Sequence, residues 1–233
     1  MDVWATRLDF DPQRVKHLAG LLSPDEQARA ARFRFAVHRR RFIVARGVLR
    51  TLLGRYTNAA PESVRLKYSP AGKPSPDPDH GLRFNLSHSH ELALYAIAYE
   101  REVGVDLEYM RPLEDIERLA AGTFSARENA VWRQLPDAQK QEGFFNCWTR
   151  KEAYIKALGQ GLSYPLDQFD VSLKPGEPAR LLSVTGTPQE VTRWTFQAFN
   201  PGENYVAALV VEGQGWYMRR WQYDDPFKDV RRA

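Results

Sequence analysis

The order of the predicted elements constrains the fold most, because a long helical stretch followed by apolar strands occurs twice along the chain. The first helical stretch covers residues 34–56, and LRFNLSH, LALYAIAYE and EVGVDLEYM follow it. The second covers residues 144–158, and LDQFDVSL, VTRWTFQAF, NYVAALVVE and WYMRRWQY follow it. This pattern predicts an α+β fold, in which each half is a long helix on a small, mainly antiparallel sheet. The repetition indicates two similar halves, at 1–110 and 111–233.

Composition predicts a globular protein with an anionic partner. The chain has 233 residues, of which 43% are hydrophobic and 12% aromatic, so it can bury a packed core. The formal net charge is +4, and the pI is near 9.2. Such a balance favours nucleic acid, a phosphorylated metabolite or an acidic protein surface, without choosing among them.

The single cysteine, Cys147, excludes an intramolecular disulfide and lies in the apolar part of the second helical stretch. A buried structural thiol is favoured over a nucleophile there. The N-terminal MDVWATRLDF lacks the apolar core of a signal peptide, and no stretch reaches membrane-spanning length. We therefore expect a cytoplasmic protein with no membrane partner.

The first helical stretch combines an apolar face with many arginines. Its apolar residues recur every three or four positions, which buries one face; they are Phe35, Phe42, Ala45, Leu49, Leu52, Leu53 and Tyr56. Arg50 and Arg55 are expected on a solvated face. The proline- and glycine-rich segment 69–81 predicts a loop with Lys73 at an exposed bend. The three strands after it are predicted to form an antiparallel meander.

Two carboxylates are predicted on one face of one strand. In the segment EVGVDLEYM, Val103, Val105 and Leu107 face one way, whereas Asp106 and Glu108 face the other. Like charges about 7 Å apart repel unless a cation lies between them or one of them is protonated. A solvated strand face and a metal site explain the pair equally well. Oxygen ligands without cysteine or clustered histidine would favour magnesium over zinc.

Glu152 is predicted to point inward from the second helix. It falls on the same stripe as Phe145, Trp148 and Ile155. A simple ion pair with Lys156, four residues further on, explains the charge but not its inward position. A third carboxylate that joins Asp106 and Glu108 around one divalent ion explains both, and Lys151 and Lys156 would then flank a site for metal and phosphate.

Ser87 and His88 end the strand LRFNLSH just before a turn. Adjacent strand residues point to opposite faces, so the two side chains are poorly placed to act as a nucleophile and its base. Contacts from the hydroxyl and the imidazole to a phosphate are favoured, and an ordinary structural role for the histidine is about as probable.

The chain contains GVDLE at 104–108, FSARE at 124–128 and WTRKEAYIKALGQGL at 148–162, and these motifs are preceded in order by SPDEQARAARF, Arg41, GKP and FNLSHS. Together they resemble the motifs of the 4′-phosphopantetheinyl transferases, in their larger, monomeric, surfactin-type branch. The resemblance covers roughly residues 20–175. It implies a pseudo-twofold pair of α/β halves with the active site in the cleft between them.

The resemblance also implies a reaction and its residues. The 4′-phosphopantetheine arm of coenzyme A would pass to a serine of an apo acyl or peptidyl carrier protein, leaving adenosine 3′,5′-bisphosphate. The implied Mg²⁺ ligands are Asp106, Glu108 and Glu152. The residues implied to bind coenzyme A are Lys73, Ser87, His88 and Lys156, with Arg41 on the 3′-phosphate and Arg29 as a further candidate. Glu26 stands where related sequences often carry lysine.

In this interpretation Glu152 and Lys156 are the catalytic residues. Glu152 would accept the proton of the carrier serine, and Glu128 or a metal-bound water are the alternative bases. Two alternatives to the whole reading remain: a nucleic-acid-binding module built on the arginine-rich helix, and a metal-dependent nuclease or phosphohydrolase. We expect no nucleic-acid partner, because three converging carboxylates would repel a phosphate backbone unless they held a metal. A monomer is expected, and the carrier could serve fatty-acid, polyketide or nonribosomal peptide synthesis.

Overall fold

The computed structural model describes residues 1–161 and 164–224 and the backbone of 231–232. Its helices are α1 (Pro12–Gly20), α2 (Pro24–Ala31), α3 (Ala36–Thr57), α4 (Ile116–Thr123), α5 (Ala126–Arg133), α6 (Asp137–Leu158) and α7 (Glu190–Arg193). Its strands are β1 (Asp2–Arg7), β2 (Arg65–Tyr68), β3 (Pro74–Asp77), β4 (Leu82–Ser89), β5 (Leu92–Tyr99), β6 (Val103–Tyr109), β7 (Phe169–Val171), β8 (Leu181–Val184), β9 (Trp194–Phe199), β10 (Tyr205–Glu212), β11 (Arg219–Gln222) and β12 (Arg231–Arg232). Leu162, the last residue of the WTRKEAYIKALGQGL motif, lies outside the described residues.

The two long helices, α3 and α6, lie on two different sheets. A five-stranded sheet has the order β12-β11-β1-β5-β4, and a three-stranded antiparallel sheet has the order β6-β10-β9. Helix α3 packs on the first sheet, where the Tyr95 hydroxyl of β5 donates to the Ala45 carbonyl oxygen at 3.0 Å. Helix α6 packs on the second sheet through Ala153 and Ala157. The predicted α+β class, with a long helix on a small sheet occurring twice, is confirmed. The last predicted strand of the second half joins the first sheet instead, where β11 pairs in parallel with β1. The boundary between residues 110 and 111 stays a prediction.

The faces of the two sheets that point away from the helices pack against each other. Leu94 and Ala96 of β5 belong to the same buried cluster as Val105 of β6 and Leu209 of β10. The layers therefore run helix, sheet, sheet, helix. Burial of apolar area on both sides of each sheet supplies the main favourable term for this arrangement.

Strand β6 does not continue the predicted antiparallel meander. Strands β4 and β5 pair as expected, but β6 pairs with β10, with Asp106 opposite Ala208. The physical reason is its apolar face: Val103, Val105 and Leu107 are fully buried against the five-stranded sheet. A strand that covers the face of a sheet cannot also extend its edge.

Arg50 is not on a solvated face, contrary to the expectation. It is 3% exposed, and its guanidinium pairs with the buried Glu26 carboxylate. Glu26 also forms the capping box of α2 with Ser23, and Arg46 lies 2.6 Å from its other oxygen. Helix α2 covers this side of α3. Arg50, which the periodicity assigns to solvent, therefore neutralises a buried carboxylate instead.

Candidate active site

Asp106 stands at the centre of a polar cluster where β4, β6 and α6 meet. It is 4% exposed. Its Oδ1 atom accepts hydrogen bonds from the Ser87 hydroxyl at 2.9 Å and from Lys156 Nζ at 2.6 Å. Lys156 Nζ also lies 3.1 Å from Ser87 Oγ. The second carboxylate oxygen, Oδ2, is buried and has no hydrogen-bond partner among the described residues.

Gly104 allows α6 to reach this cluster. A Cβ atom at Gly104 would lie 2.0 Å from the Ala153 carbonyl oxygen and 2.4 Å from the Ala157 nitrogen. The helix backbone therefore rests directly on β6, two residues before Asp106 on the same face. The alanines at 153 and 157 leave room for this contact, and Glu152 and Lys156 flank it. The sequence analysis missed this role, which a glycine inside an apolar strand could have indicated.

Glu152 and Glu108 lie close enough to Asp106 for its charge to act on both of them. Glu152 is 7% exposed, and its buried Oε1 atom has no partner within the described part of the chain. Burial raises the pKa of Glu152, the charges of Asp106 and Glu108 raise it further, and Lys156 opposes them. Burial and the Asp106 charge likewise raise the pKa of Glu108, against hydrogen bonds from Ser89 and Trp148. Three carboxylates thus share one small region.

Positive charge gathers on the other side of the cluster. The His88 ring reaches solvent, yet partial burial lowers its pKa, and the charges of Lys156 and Arg41 lower it further. The ion pairs that Arg41 makes with described residues are long, at 3.4 Å to Asp9 and 3.6 Å to Glu91. Its buried Nε atom lacks a hydrogen-bond partner in the residues that the structure describes. The Arg41 guanidinium is therefore available to an anion, whereas the lowered pKa of His88 favours its neutral form at neutral pH.

Lys73 is mostly buried rather than at an exposed bend. Its Nζ atom donates to Glu102 Oε2 at 2.6 Å and to the Ala157 carbonyl oxygen at 2.8 Å. Burial lowers the pKa of Lys73, and the hydrogen bond and charge of Glu102 oppose that effect. The ammonium thus binds a free carbonyl near the C-terminus of α6, where helix ends favour positive charge.

Lys151 does not flank the site, contrary to the prediction. It is fully buried, lies 2.8 Å from Glu128 Oε2 and donates to the carbonyl oxygens of Leu166 and Phe169. Glu128 is also bound by other protein groups: it accepts a hydrogen bond from the Val171 backbone amide at 2.7 Å and forms a capping box with Ser125. Neither side chain is free to act on a substrate. The spacing of serine and glutamate in FSARE is itself a capping-box signal and could have identified this structural role.

Cys147 is fully buried. Burial raises the pKa of its thiol, and the nearby Glu128 charge adds to this effect. A thiol in these surroundings is inert at neutral pH.

The sequence analysis did not predict a ladder of β4 side chains, which consists of Asn85, Ser87 and Ser89. The Val105 amide donates to Asn85 Oδ1 at 2.9 Å. The Leu107 amide donates to Ser87 Oγ at 3.3 Å, and the Tyr109 amide to Ser89 Oγ at 3.1 Å. The ladder therefore provides hydrogen-bond acceptors for backbone amides along the edge of β6 that faces away from β10. Alternation of short polar residues at 85, 87 and 89 is the signal that could have indicated it.

The carboxylates fit a divalent cation by their chemistry. Asp106 Oδ2 and Glu152 Oε1 are buried oxygens without partners among the residues that the structure describes, and oxygen is the donor that Mg²⁺ prefers. Across the described ranges no group of three or more His, Cys, Asp or Glu side chains is closed around a common point, and Lys156 lies against the other oxygen of Asp106. The possible ligand oxygens are thus present but do not converge on one point.

No helix in the described residues is long and apolar enough to cross a membrane.

Comparison with known proteins identifies the family. Residues 102–210 match the model of the 4′-phosphopantetheinyl transferase superfamily, and residues 10–100 match that of the 4′-phosphopantetheinyl transferase N-terminal region. The 4′-phosphopantetheinyl transferase HetI of Nostoc sp. is 45% identical over 224 residues, 95% of this chain and 91% of that protein. The 4′-phosphopantetheinyl transferase psf-1 of Bacillus pumilus is 30% identical over 169 residues, 72% of this chain and 71% of that protein. The family expected from the motifs is confirmed, and the chain belongs to the 4′-phosphopantetheinyl transferase superfamily.

Proposed function

We propose that this chain carries out the reaction of its family in the cleft where β4, β6 and α6 meet. In that reaction the 4′-phosphopantetheine arm of coenzyme A passes to a serine of an apo carrier protein. The observation that carries the assignment is the contact of Lys156 with Asp106 and Ser87, beside two further carboxylates with raised pKa values. Phosphoryl transfer needs groups that align the reactants and neutralise charge, and this cluster contains both.

The bond changes assign roles to two residues. The carrier serine oxygen attacks the phosphorus that bears the pantetheine, and the bond from that phosphorus to the bridging oxygen breaks. Adenosine 3′,5′-bisphosphate departs with the electron pair. Glu152 Oε1, which is buried and has no partner among the described residues, accepts the serine proton because a raised pKa suits a general base. Lys156 Nζ stabilises the negative charge that develops on the departing bisphosphate.

We propose that Asp106, Glu108 and Glu152 hold a Mg²⁺ ion. The bound ion would supply neutralisation of the pyrophosphate charge. The Oδ2 atom of Asp106, which has no partner among the described residues, supports this assignment, and Glu152 would bind the ion through the oxygen that does not accept the serine proton. Lys156 orients the Asp106 carboxylate, because its ammonium lies 2.6 Å from Oδ1.

The phosphates of coenzyme A are proposed to lie against Arg41, His88 and Lys156. Arg41 is the proposed anchor for the 3′-phosphate, since its ion pairs are long and its Nε has no partner in the described part of the chain. Glu26 does not oppose this binding, because Arg46 and Arg50 neutralise its charge. Direct phosphate contacts from Ser87 and Lys73 stay predictions, since both groups already bind protein atoms.

A monomer is the proposed state. One chain supplies the β6 carboxylates, the α6 residues Glu152 and Lys156, and Arg41 of α3, so a second copy is not required to complete the site. Size-exclusion chromatography with light scattering, run with and without coenzyme A, tests this. A dimer whose dissociation abolishes transfer would refute it.

The function is tested by incubating the protein with coenzyme A, Mg²⁺ and an apo carrier protein, and by following the carrier by intact-mass spectrometry. We expect the carrier to gain one phosphopantetheine, and replacement of its serine by alanine to abolish the gain. Asp106→Ala should fold but lose transfer. Hydrolysis of coenzyme A without modification of any carrier would favour a phosphohydrolase instead.

A panel of apo carriers from fatty-acid, polyketide and nonribosomal peptide synthesis would identify the class of carrier that the protein prefers.

A further inference from the structure

Two serines of the β4 ladder bind β6 in the same way, two residues apart. Ser87 Oγ accepts the Leu107 amide and donates to Asp106 Oδ1 at 2.9 Å. Ser89 Oγ accepts the Tyr109 amide and donates to Glu108 Oε2 at 2.8 Å. Each hydroxyl therefore joins the backbone of one residue to the carboxylate of the residue before it.

This repeat orients each carboxylate. A hydroxyl has a single hydrogen to donate, so each serine selects one oxygen of its carboxylate and leaves the other for a different partner. For Asp106 the remaining oxygen is the buried Oδ2, which has no partner among the residues described. The third rung, Asn85, accepts the Val105 amide but has no carboxylate to orient, because residue 104 is glycine.

The orientation of the carboxylate depends more on its serine for Glu108 than for Asp106. Asp106 is held by Lys156 as well as by Ser87 and is almost fully buried. Glu108 is only half-buried and has a longer side chain with more rotamers to restrict. Its hydrogen bonds come from Ser89 and from the Trp148 side chain.

We infer that Ser89 is a positioning residue, which acts through Glu108 by fixing the orientation of its carboxylate toward the metal. The inference rests on the proposed function, because it requires Glu108 to be a ligand. Ser89 is proposed to touch neither substrate nor metal. Residues that hydrogen-bond to metal ligands typically change metal affinity or activity by about 10–100-fold when they are removed.

The test measures Mn²⁺ binding as well as transfer. Free Mn²⁺ is followed by electron paramagnetic resonance in the presence of saturating coenzyme A and without a carrier, so that no turnover occurs. We expect Ser89→Ala to weaken Mn²⁺ binding by roughly 10-fold or more. Ser89→Thr, which keeps the hydroxyl, should restore binding close to that of the wild type. The Ser89→Ala effect should vanish in a Glu108→Ala background, because the serine then has no ligand to orient.

Three results would overturn the inference, and they separate its failure from that of the proposed function. Wild-type Mn²⁺ affinity in Ser89→Ala, alongside weakened binding in Glu108→Ala, would show that Glu108 needs no positioning. An equal loss from Ser89→Ala with and without Glu108 would show that the serine acts through the fold. Binding that is unchanged in Asp106→Ala and Glu108→Ala would refute the metal site itself. If Ser89→Ala does not fold, Ser89→Cys, a weak donor of similar shape, should weaken binding in the same way.

Discussion

Lys156 Nζ lies 2.6 Å from Asp106 Oδ1, so an ion pair joins helix α6 to strand β6 across 50 residues of sequence. The pair lies at a cluster where burial and the Asp106 charge raise the pKa values of both Glu108 and Glu152. Lys156 is 29% exposed at its side chain, so an incoming phosphate can reach its ammonium while the ammonium stays beside the buried Asp106.

Replacement of Lys156 should slow the chemical step. We expect Lys156→Met to lower kcat by about 10²-fold, the scale for loss of one group that stabilises transition-state charge. Lys156→Arg keeps the charge but not its compact shape, and should fall between the methionine variant and the wild type. Single-turnover rates at saturating coenzyme A measure this. An unchanged rate in Lys156→Met would exclude the proposed role.

Gly104→Ala should separate α6 from β6. The added methyl group would lie 2.0 Å from the Ala153 carbonyl oxygen, and overpacking of this kind costs about 1–3 kcal/mol or more. The variant should lose both stability and transfer, because Glu152 and Lys156 move with the helix. Gly122→Ala is the matched control, since a methyl group there meets no atom within 4 Å. Thermal unfolding of both proteins measures the difference, and equal effects would contradict the close-contact argument.

Arg41→Ala should weaken coenzyme A binding more than it slows chemistry. A charge-assisted contact to phosphate contributes about 1.5–3 kcal/mol, so KM for coenzyme A should rise about 10–100-fold with a smaller change in kcat. Dephospho-coenzyme A should be used equally by the variant and the wild type. Arg40→Ala is the control, because Arg40 shares the Asp9 contact but is more exposed. Equal loss on both substrates would assign Arg41 another role.

Stability without metal should depend on pH through Glu152. Its pKa is raised by burial and by Asp106, so the folded state holds its proton to a higher pH than the unfolded chain does. The stability that the protonated form contributes is therefore lost as pH rises from the pKa of Glu152 in the unfolded chain to its higher pKa in the folded state. Glu152→Gln should raise Tm at neutral pH in the absence of Mg²⁺, by about 2–4 °C per kcal/mol of destabilisation removed. The gain should shrink at acidic pH. A lower Tm in Glu152→Gln at neutral pH would contradict the account.

The motifs predicted the cluster better than they predicted its surroundings. Asp106, Glu108, Glu152 and Lys156 could be placed because strand and helix periodicity determine which residues share a face. The pairing of β6 with β10 could not, since a strand that is apolar on one face can extend a sheet or cover it. Lys73, Lys151 and Glu128 were misjudged for a related reason: local sequence shows a charge but not the distant carbonyl or carboxylate that binds it. The Leu166 and Phe169 carbonyls that hold Lys151 are examples.

The central claim is that the carboxylates at the junction of β6 and α6 carry out phosphopantetheinyl transfer, with Glu152 as the base. The most direct measurement is the rate of carrier mass gain with Glu152→Gln at saturating Mg²⁺ and saturating coenzyme A. We expect a rate about 10²-fold or more below that of the wild type, the usual effect of losing a general base, and no recovery with additional Mg²⁺. A rate near that of the wild type would contradict the claim, because Glu152 would then be at most a ligand and Glu128 is already bound to Lys151.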